Sequence, residues 1–155
     1  MTAIWSYEYP TGTLGIAEED GAITHIFFKG DSKASTYSEH ETPLIKTAAR
    51  QLREYFAGRR TVFDLPLAPQ GTAFQMEVWN AVRAIDFGTT RSYQEIAVKI
   101  GRPRAFRAMG AANGHNPIPI IIPCHRVIGH DGSLTGYAGG LEMKRYLLEL
   151  EKRYA

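Results

Sequence analysis

Ser92-Tyr-Gln-Glu-Ile-Ala-Val-Lys-Ile-Gly101-Arg-Pro103-Arg-Ala-Phe-Arg107-Ala-Met-Gly-Ala-Ala-Asn113 reads as two short helices joined by a glycine turn. Ser92 and Glu95 have the form of a capping box, in which each side chain satisfies the other residue's backbone N–H. Ile96, Ala97 and Ile100 then fall on one helical face. Gly101 closes this helix, and Pro103 opens a second that runs to about Asn113. Two short helices about a tight glycine turn are the pattern of a helix-turn-helix. The second helix is rich in small residues (Ala105, Ala108, Gly110, Ala111, Ala112), and Lys99, Arg102, Arg104 and Arg107 cluster without an acid. Small side chains allow close approach either to a neighbouring helix or to a DNA groove. A basic cluster suits either solvent or phosphate. The residues alone leave both pairs of alternatives open.

Upstream, Ile4–Tyr9, Thr13–Ile16 and Ala22–Phe28 alternate as strands about a Pro10-Thr-Gly12 turn and an Asp20-Gly21 hairpin signal, which predicts an antiparallel meander. Residues 30–41 are polar and read as a loop. Thr42 and Pro43 start a helix with Leu44, Ile45, Ala48, Leu52, Tyr55 and Phe56 on one face, ended by Gly58. Thr61–Leu65 reads as a further strand. Pro66–Gly71 is rich in proline and glycine and divides the chain into lobes 1–70 and 71–155. Thr72 caps a helix carrying Phe74, Val78, Trp79, Val82 and Ile85. Beyond the two short helices, Ile118–Ile122 reads as a buried extended segment leading to Pro123-Cys124. Gly136–Gly140 is a glycine-rich loop, and a last helix runs from Leu141 to about Arg153.

At 155 residues and 44% hydrophobic, the chain suits a compact globular protein. Residues 1–71 carry seven Lys/Arg against nine Asp/Glu, and residues 72–155 eleven against seven, so the basic character belongs to the second lobe. One cysteine excludes an internal disulfide and favours a reducing compartment. The N-terminus lacks a basic region followed by an apolar stretch, and prolines interrupt the longest apolar run, so a soluble, cytoplasmic protein without a membrane partner is expected.

That cysteine lies in Pro123-Cys-His-Arg-Val127. A free cysteine is usually a small buried hydrophobe, but an adjacent histidine and arginine are neighbours that can activate a thiol. Spacing excludes several chemistries. A phosphatase cradle needs arginine six residues on, where His130 stands, and a thioredoxin motif needs a second cysteine. His125 and His130 form no recognised zinc-ligand pair with Cys124. A protease signature around His25, His40 or His115 is missing. If the sulfur attacks an alkyl carbon, the product is a thioether, which is not readily hydrolysed, so the protein reacts once.

Phe74-Gln75, Val78-Trp79, Ser92–Ala97, Arg107-Ala108, Gly110–Asn113, Asn116-Pro117, Ile122–Val127, Gly136-Tyr137, Gly139–Leu141, Lys144 and Leu147-Leu148-x-Leu150-Glu151 closely resemble the O6-alkylguanine-DNA alkyltransferases of bacterial type. The likeness covers nearly all of residues 72–155, and the first lobe only in general plan. It implies an α+β fold, with a small N-terminal α/β lobe built on a ribonuclease-H-like antiparallel sheet and a C-terminal winged-helix-like domain containing the helix-turn-helix. It implies irreversible transfer of an alkyl group from O6 of guanine (and of O4-alkylthymine as a second substrate) in double-stranded DNA to Cys124. Minor-groove binding by a monomer and extrusion of the damaged nucleotide come with it, without cofactor or metal. An alkyl carbon inside an intact base stack is out of a thiol's reach.

By the same resemblance His125 is the base acting through a water, Glu151 polarises His125, and Tyr93 donates a proton to the departing guanine with Lys144 nearby. Arg107 fills the space of the flipped base, and Ala108 and Asn113 join it and Tyr93 at the DNA. Asn116 braces the cysteine turn. The carbonyls of Cys124 and Val127 and the N–H of Ala138 read the guanine edge, and Tyr137 walls the pocket. Ala138 stands where some relatives have serine, Asp86 where proline is frequent and Arg91 where a small residue is usual. A non-catalytic lesion-recognition module and a winged-helix regulator with a core cysteine are the alternatives.

Overall fold

Asp20 and Gly21 both adopt positive φ (50° and 84°), the geometry that a two-residue hairpin turn requires. The turn joins β2 (Gly12–Glu19) to β3 (Ala22–Phe28), and β1 (Thr2–Tyr9) pairs with the other edge of β2, giving an antiparallel sheet in the order β1-β2-β3. These strands come from a computed structural model that describes residues 1–155. The chain forms two compact units, Met1–Gln70 and Gly71–Ala155.

In the first unit α1 (Pro43–Phe56) is capped by Thr42, whose hydroxyl accepts the Ile45 N–H at 3.1 Å. It buries Ile45, Ala48, Leu52 and Tyr55, and the sheet buries Leu14, Ile16 and Ile23. Each large apolar side chain so buried contributes about 1.5–3 kcal/mol.

The strand expected over Thr61–Leu65 does not form. Gln51, buried on α1, takes both backbone groups of Asp64: its Nε2 donates to the carbonyl (3.1 Å) and its Oε1 accepts the N–H (2.9 Å). Pairing with β3 moves on to Pro66–Ala68, where Ile23 exchanges two bonds. The flanking prolines, which have no N–H to donate, keep this contact from growing into a ladder. The 30–41 segment also holds a 3-10 turn at Ser32–Thr36.

The second unit contains α2 (Ala73–Arg83), α3 (Tyr93–Lys99), α4 (Phe106–Gly114) and α5 (Leu141–Tyr154). Two-residue strands β4 (Arg91–Ser92) and β5 (Val127–Ile128) pair in parallel. Thr72 with Gln75 and Ser92 with Glu95 form complete capping boxes on α2 and α3. Gly101, at φ 77°, ends α3 in a Schellman closure: its N–H donates to Val98 O and that of Arg102 to Ala97 O. The helix-turn-helix is therefore present, but α4 starts three residues after Pro103. One tight turn, Ala105 N–H to Arg102 O at 2.9 Å, intervenes, because the chain leaving the Schellman closure must be redirected first. Trp79 Nε1 donates to Ala112 O at 2.9 Å and fixes α4 against α2.

Ile118–Ile122 is not extended. It is a buried turn in which Ile122 N–H returns to Ile118 O at 2.9 Å and Ile120 has φ 73°. A β-branched residue in that region is strained and needs surroundings that enforce it.

Candidate active site

Asn116 supplies that enforcement. Its Oδ1 accepts the Ile118 N–H at 2.9 Å and its Nδ2 donates to Ile122 O at 2.7 Å, clamping the turn at both ends. The clamped turn passes directly into the 3-10 turn Cys124–Arg126, all of it buried. Cys124 Sγ is only 6% exposed with its residue. Burial pushes its thiol up to about 11, against weaker opposing effects of a hydrogen bond from Asn116 and the charge of Lys144. The adjacent His125 and Arg126 thus do not ionise the resting thiol, contrary to what their position in the sequence suggests.

Their side chains turn instead to Glu151 on α5. His125 Nε2 lies 2.6 Å from Glu151 Oε2, and both side chains are buried. A carboxylate can only accept, so Nε2 carries the ring proton and Nδ1 is the bare acceptor. Nδ1 is buried with no protein donor. Burial lowers the His125 pKa, outweighing the nearby carboxylate. Burial alone would raise that of Glu151, but the bonds from His125 and Arg126 hold it well below the carboxylate range. The site therefore rests as a neutral thiol, a neutral imidazole and a charged carboxylate.

Lys144, fully buried on α5, donates to Val127 O (2.7 Å) and Thr135 O (2.9 Å), and its Nζ lies 6.0 Å from the Tyr93 ring. Burial brings its pKa down to about 8. Tyr93 Oη donates to Thr135 O at 3.0 Å and accepts from Thr135 Oγ1 at 3.2 Å. Tyr137 is half-buried, and its phenol is pushed up by burial first and by the charge of Glu151. Val127 is buried and Ala138 is exposed in the glycine-rich loop.

Arg107 and Ala108 lie exposed on α4, the Arg107 guanidinium 5.9 Å from the Phe106 ring. Asn113 does not join them. It is 3% exposed, and its Nδ2 donates to Cys124 O at 3.2 Å, behind the cysteine. Arg126, which the sequence suggested only as a neighbour of the thiol, binds Glu151 through Nε (2.8 Å) and Nη2 (3.1 Å) and Ile85 O through Nη1 (2.6 Å). Its place beside His125 was the one signal available. No group of three or more His, Cys, Asp or Glu side chains is placed to hold a metal ion.

Residues 73–153 match the 6-O-methylguanine DNA methyltransferase DNA-binding domain, and residues 5–69 match the ribonuclease-like domain of the same proteins. The chain belongs to this family. It is 51% identical over 148 residues to the methylated-DNA–protein-cysteine methyltransferase of Methanosarcina barkeri, covering 94% of each chain. It is 47% identical over 152 residues to the constitutive enzyme of Bacillus subtilis, covering 94% of this chain and 92% of that one. Among solved structures it superposes on the Mycobacterium tuberculosis O6-methylguanine methyltransferase with a TM-score of 0.93 at 45% identity, over 100% of this chain and 95% of the other. The same organism's protein in complex with DNA matches at 0.92 and 47%, over 99% and 94%. The α+β plan of a ribonuclease-like lobe followed by a helix-turn-helix domain is that of the family.

Proposed function

We propose that Cys124 is the acceptor in a DNA-repair reaction run once per molecule, with His125 and Glu151 as its proton-accepting pair. The family activity is direct reversal of damage: the alkyl group on O6 of guanine in DNA passes to a cysteine of the protein, and this chain has one cysteine. The observation that carries the residue assignment is the buried His125–Glu151 contact of 2.6 Å one residue after that sulfur, with Nδ1 left as an acceptor.

The bonds balance without a further reactant. The thiol proton passes through a water to Nδ1, the sulfur attacks the alkyl carbon, and the carbon–O6 bond breaks. The O6 electron pair stays with guanine, which gains one proton and leaves as the normal base. Tyr93 is the donor of that proton, and its phenolate is made whole by the proton that His125 took, returned through solvent. Its O–H points at Thr135 O in the free protein and turns to the base when guanine enters, while Thr135 Oγ1 continues to donate to the phenol oxygen. Lys144 holds the Val127 carbonyl, and Asn113 holds that of Cys124. Lys144 leaves the Val127 carbonyl a lone pair for the guanine amino group, whereas the Cys124 carbonyl, which also accepts the Val127 N–H, reads the base by giving up or sharing one of its two bonds. Ala138 N–H faces O6, and Tyr137 closes the pocket wall.

Double-stranded DNA is the partner of the second unit. The exposed side of α4, with Arg107 and Ala108 beside small residues, suits a monomer docked in the minor groove with the damaged nucleotide turned out of the stack. No helix is long and apolar enough to cross a membrane. The test is intact-mass measurement after incubation with duplex DNA containing O6-methylguanine. Wild type gains one methyl group and Cys124→Ser gains none. A wild-type mass that does not change overturns the assignment.

A further inference from the structure

Glu151 is surrounded by donors. Besides His125 it accepts two bonds from Arg126 and one from Gly88 N–H at 3.2 Å. Arg126 is itself anchored on Ile85 O, just beyond α2, and lies 5.7 Å from the Phe87 ring. The guanidinium and carboxylate are both buried, so their separation from water is nearly complete. The guanidinium meets the carboxylate as a fork, through Nε and Nη2. Arginine's charge is permanent and its geometry planar, which suits it to hold a carboxylate at two points.

We infer that Arg126 is a positioning residue that keeps Glu151 charged and aimed at His125 while holding the imidazole uncharged, so that the base is ready over a wide range of pH. This rests on His125 being the base for Cys124.

The reasoning is charge accounting in a buried site. With Arg126 and Glu151 ionised and His125 neutral, the triad has no net charge. A second proton on His125 makes it +1 with no water to solvate it. Remove the guanidinium charge and the pair Glu151–His125 is −1 until the imidazole takes a proton from solvent, so protonation becomes favourable. The other charged or titratable groups facing the site do not replace Arg126. Lys144 bonds the Val127 and Thr135 carbonyls rather than the carboxylate. Cys124 and Tyr137 rest neutral, their protons held by burial. Lys152 lies with Glu151 around a neighbouring cavity but is exposed to solvent.

The experiment is the single-turnover transfer rate from an O6-methylguanine duplex as a function of pH. Arg126→Met is expected to move the acidic limb up by about one pH unit or more. Arg126→Lys keeps the charge, and its limb stays at the wild-type position. A merely structural loss would lower the rate equally at every pH, and that outcome, or an unmoved limb in Arg126→Met, overturns the proposal. The ¹⁵N shifts of His125 in the wild-type protein provide a check that needs no variant. One proton, on Nε2, is expected at pH 6, and a doubly protonated ring there overturns the proposal even if Arg126→Met does not fold. Failure of wild type to accept methyl at any pH refutes the Cys124 assignment instead.

Discussion

Replacing Asn116 by alanine removes both bonds that close the Ile118–Ile122 turn. The Ile118 N–H then has no acceptor within a fully buried segment, and an orphaned buried donor costs about 1–3 kcal/mol. The Ile122 carbonyl fares better, because it also accepts the Cys124 N–H at 2.8 Å, so its lost bond costs about 1 kcal/mol. Asn116→Ala is therefore expected to destabilise the second unit by about 2–4 kcal/mol. Relaxation of Ile120 out of its strained φ recovers part of this, but only by moving the turn that delivers the cysteine. Methyl transfer should slow by about tenfold or more, since a displaced sulfur no longer meets the alkyl carbon in line. Asn116→Asp keeps the acceptor for Ile118 and should be less destabilised, yet it places a negative charge beside the sulfur and opposes thiolate formation. Hydrogen exchange of the Ile122 and Cys124 amides reports the local stability, and intact mass against time reports transfer. Exchange within about 0.5 kcal/mol of wild type, together with an unchanged rate, would refute the reasoning.

Two further predictions concern acid and DNA. Glu151 and His125 both titrate lower in the folded chain than when unfolded, so the unfolded chain binds more protons between the two values and stability falls as pH drops. The loss should begin below about pH 6.5 and continue through the carboxylate range, with His125→Asn flattening its upper part. Urea midpoints at successive pH values check this, and a midpoint that stays level or rises between pH 6.5 and 5 contradicts the sign. Arg107→Ala should lower transfer from duplex DNA by about tenfold and reduce the salt dependence of binding by about one ion, with a far smaller loss on the free O6-methylguanine base. Equal losses on both substrates would place Arg107 in the chemistry rather than at the DNA.

Elements whose signals are local were readable from the sequence. The Ser92/Glu95 capping box, the Asp20-Gly21 hairpin and the Thr42-Pro43 start each need only neighbouring residues, and each is found where its chemistry puts it. Misreadings arose where a distant side chain captured the backbone. Gln51 claims the polar groups of Asp64, and Asn116 folds a run of β-branched residues into a turn that their propensity opposes. The candidate site followed the same rule. Cys124 and His125 stood out because they are adjacent, but Glu151 came only with the family resemblance, from 26 residues away. The burial of Arg126 and Lys144 was not legible, because such side chains are ordinarily exposed and only the folded chain shows carbonyls and a carboxylate waiting for them. Asn113 came to the DNA-contact set with the resemblance, and its burial against Cys124 O depends on packing that no local signal carries.

The depth of Cys124 also governs how the protein behaves when there is no lesion to meet. With burial pushing its thiol up to about 11, the resting sulfur at neutral pH is overwhelmingly the thiol. Peroxides and small soluble alkylating agents react through the thiolate, so they find almost none. A protein that holds a single irreplaceable sulfur gains shelf life from this inertness. On the proposed mechanism the proton leaves the sulfur only through the buried base beside it, so untargeted electrophiles in the surroundings are left largely unanswered.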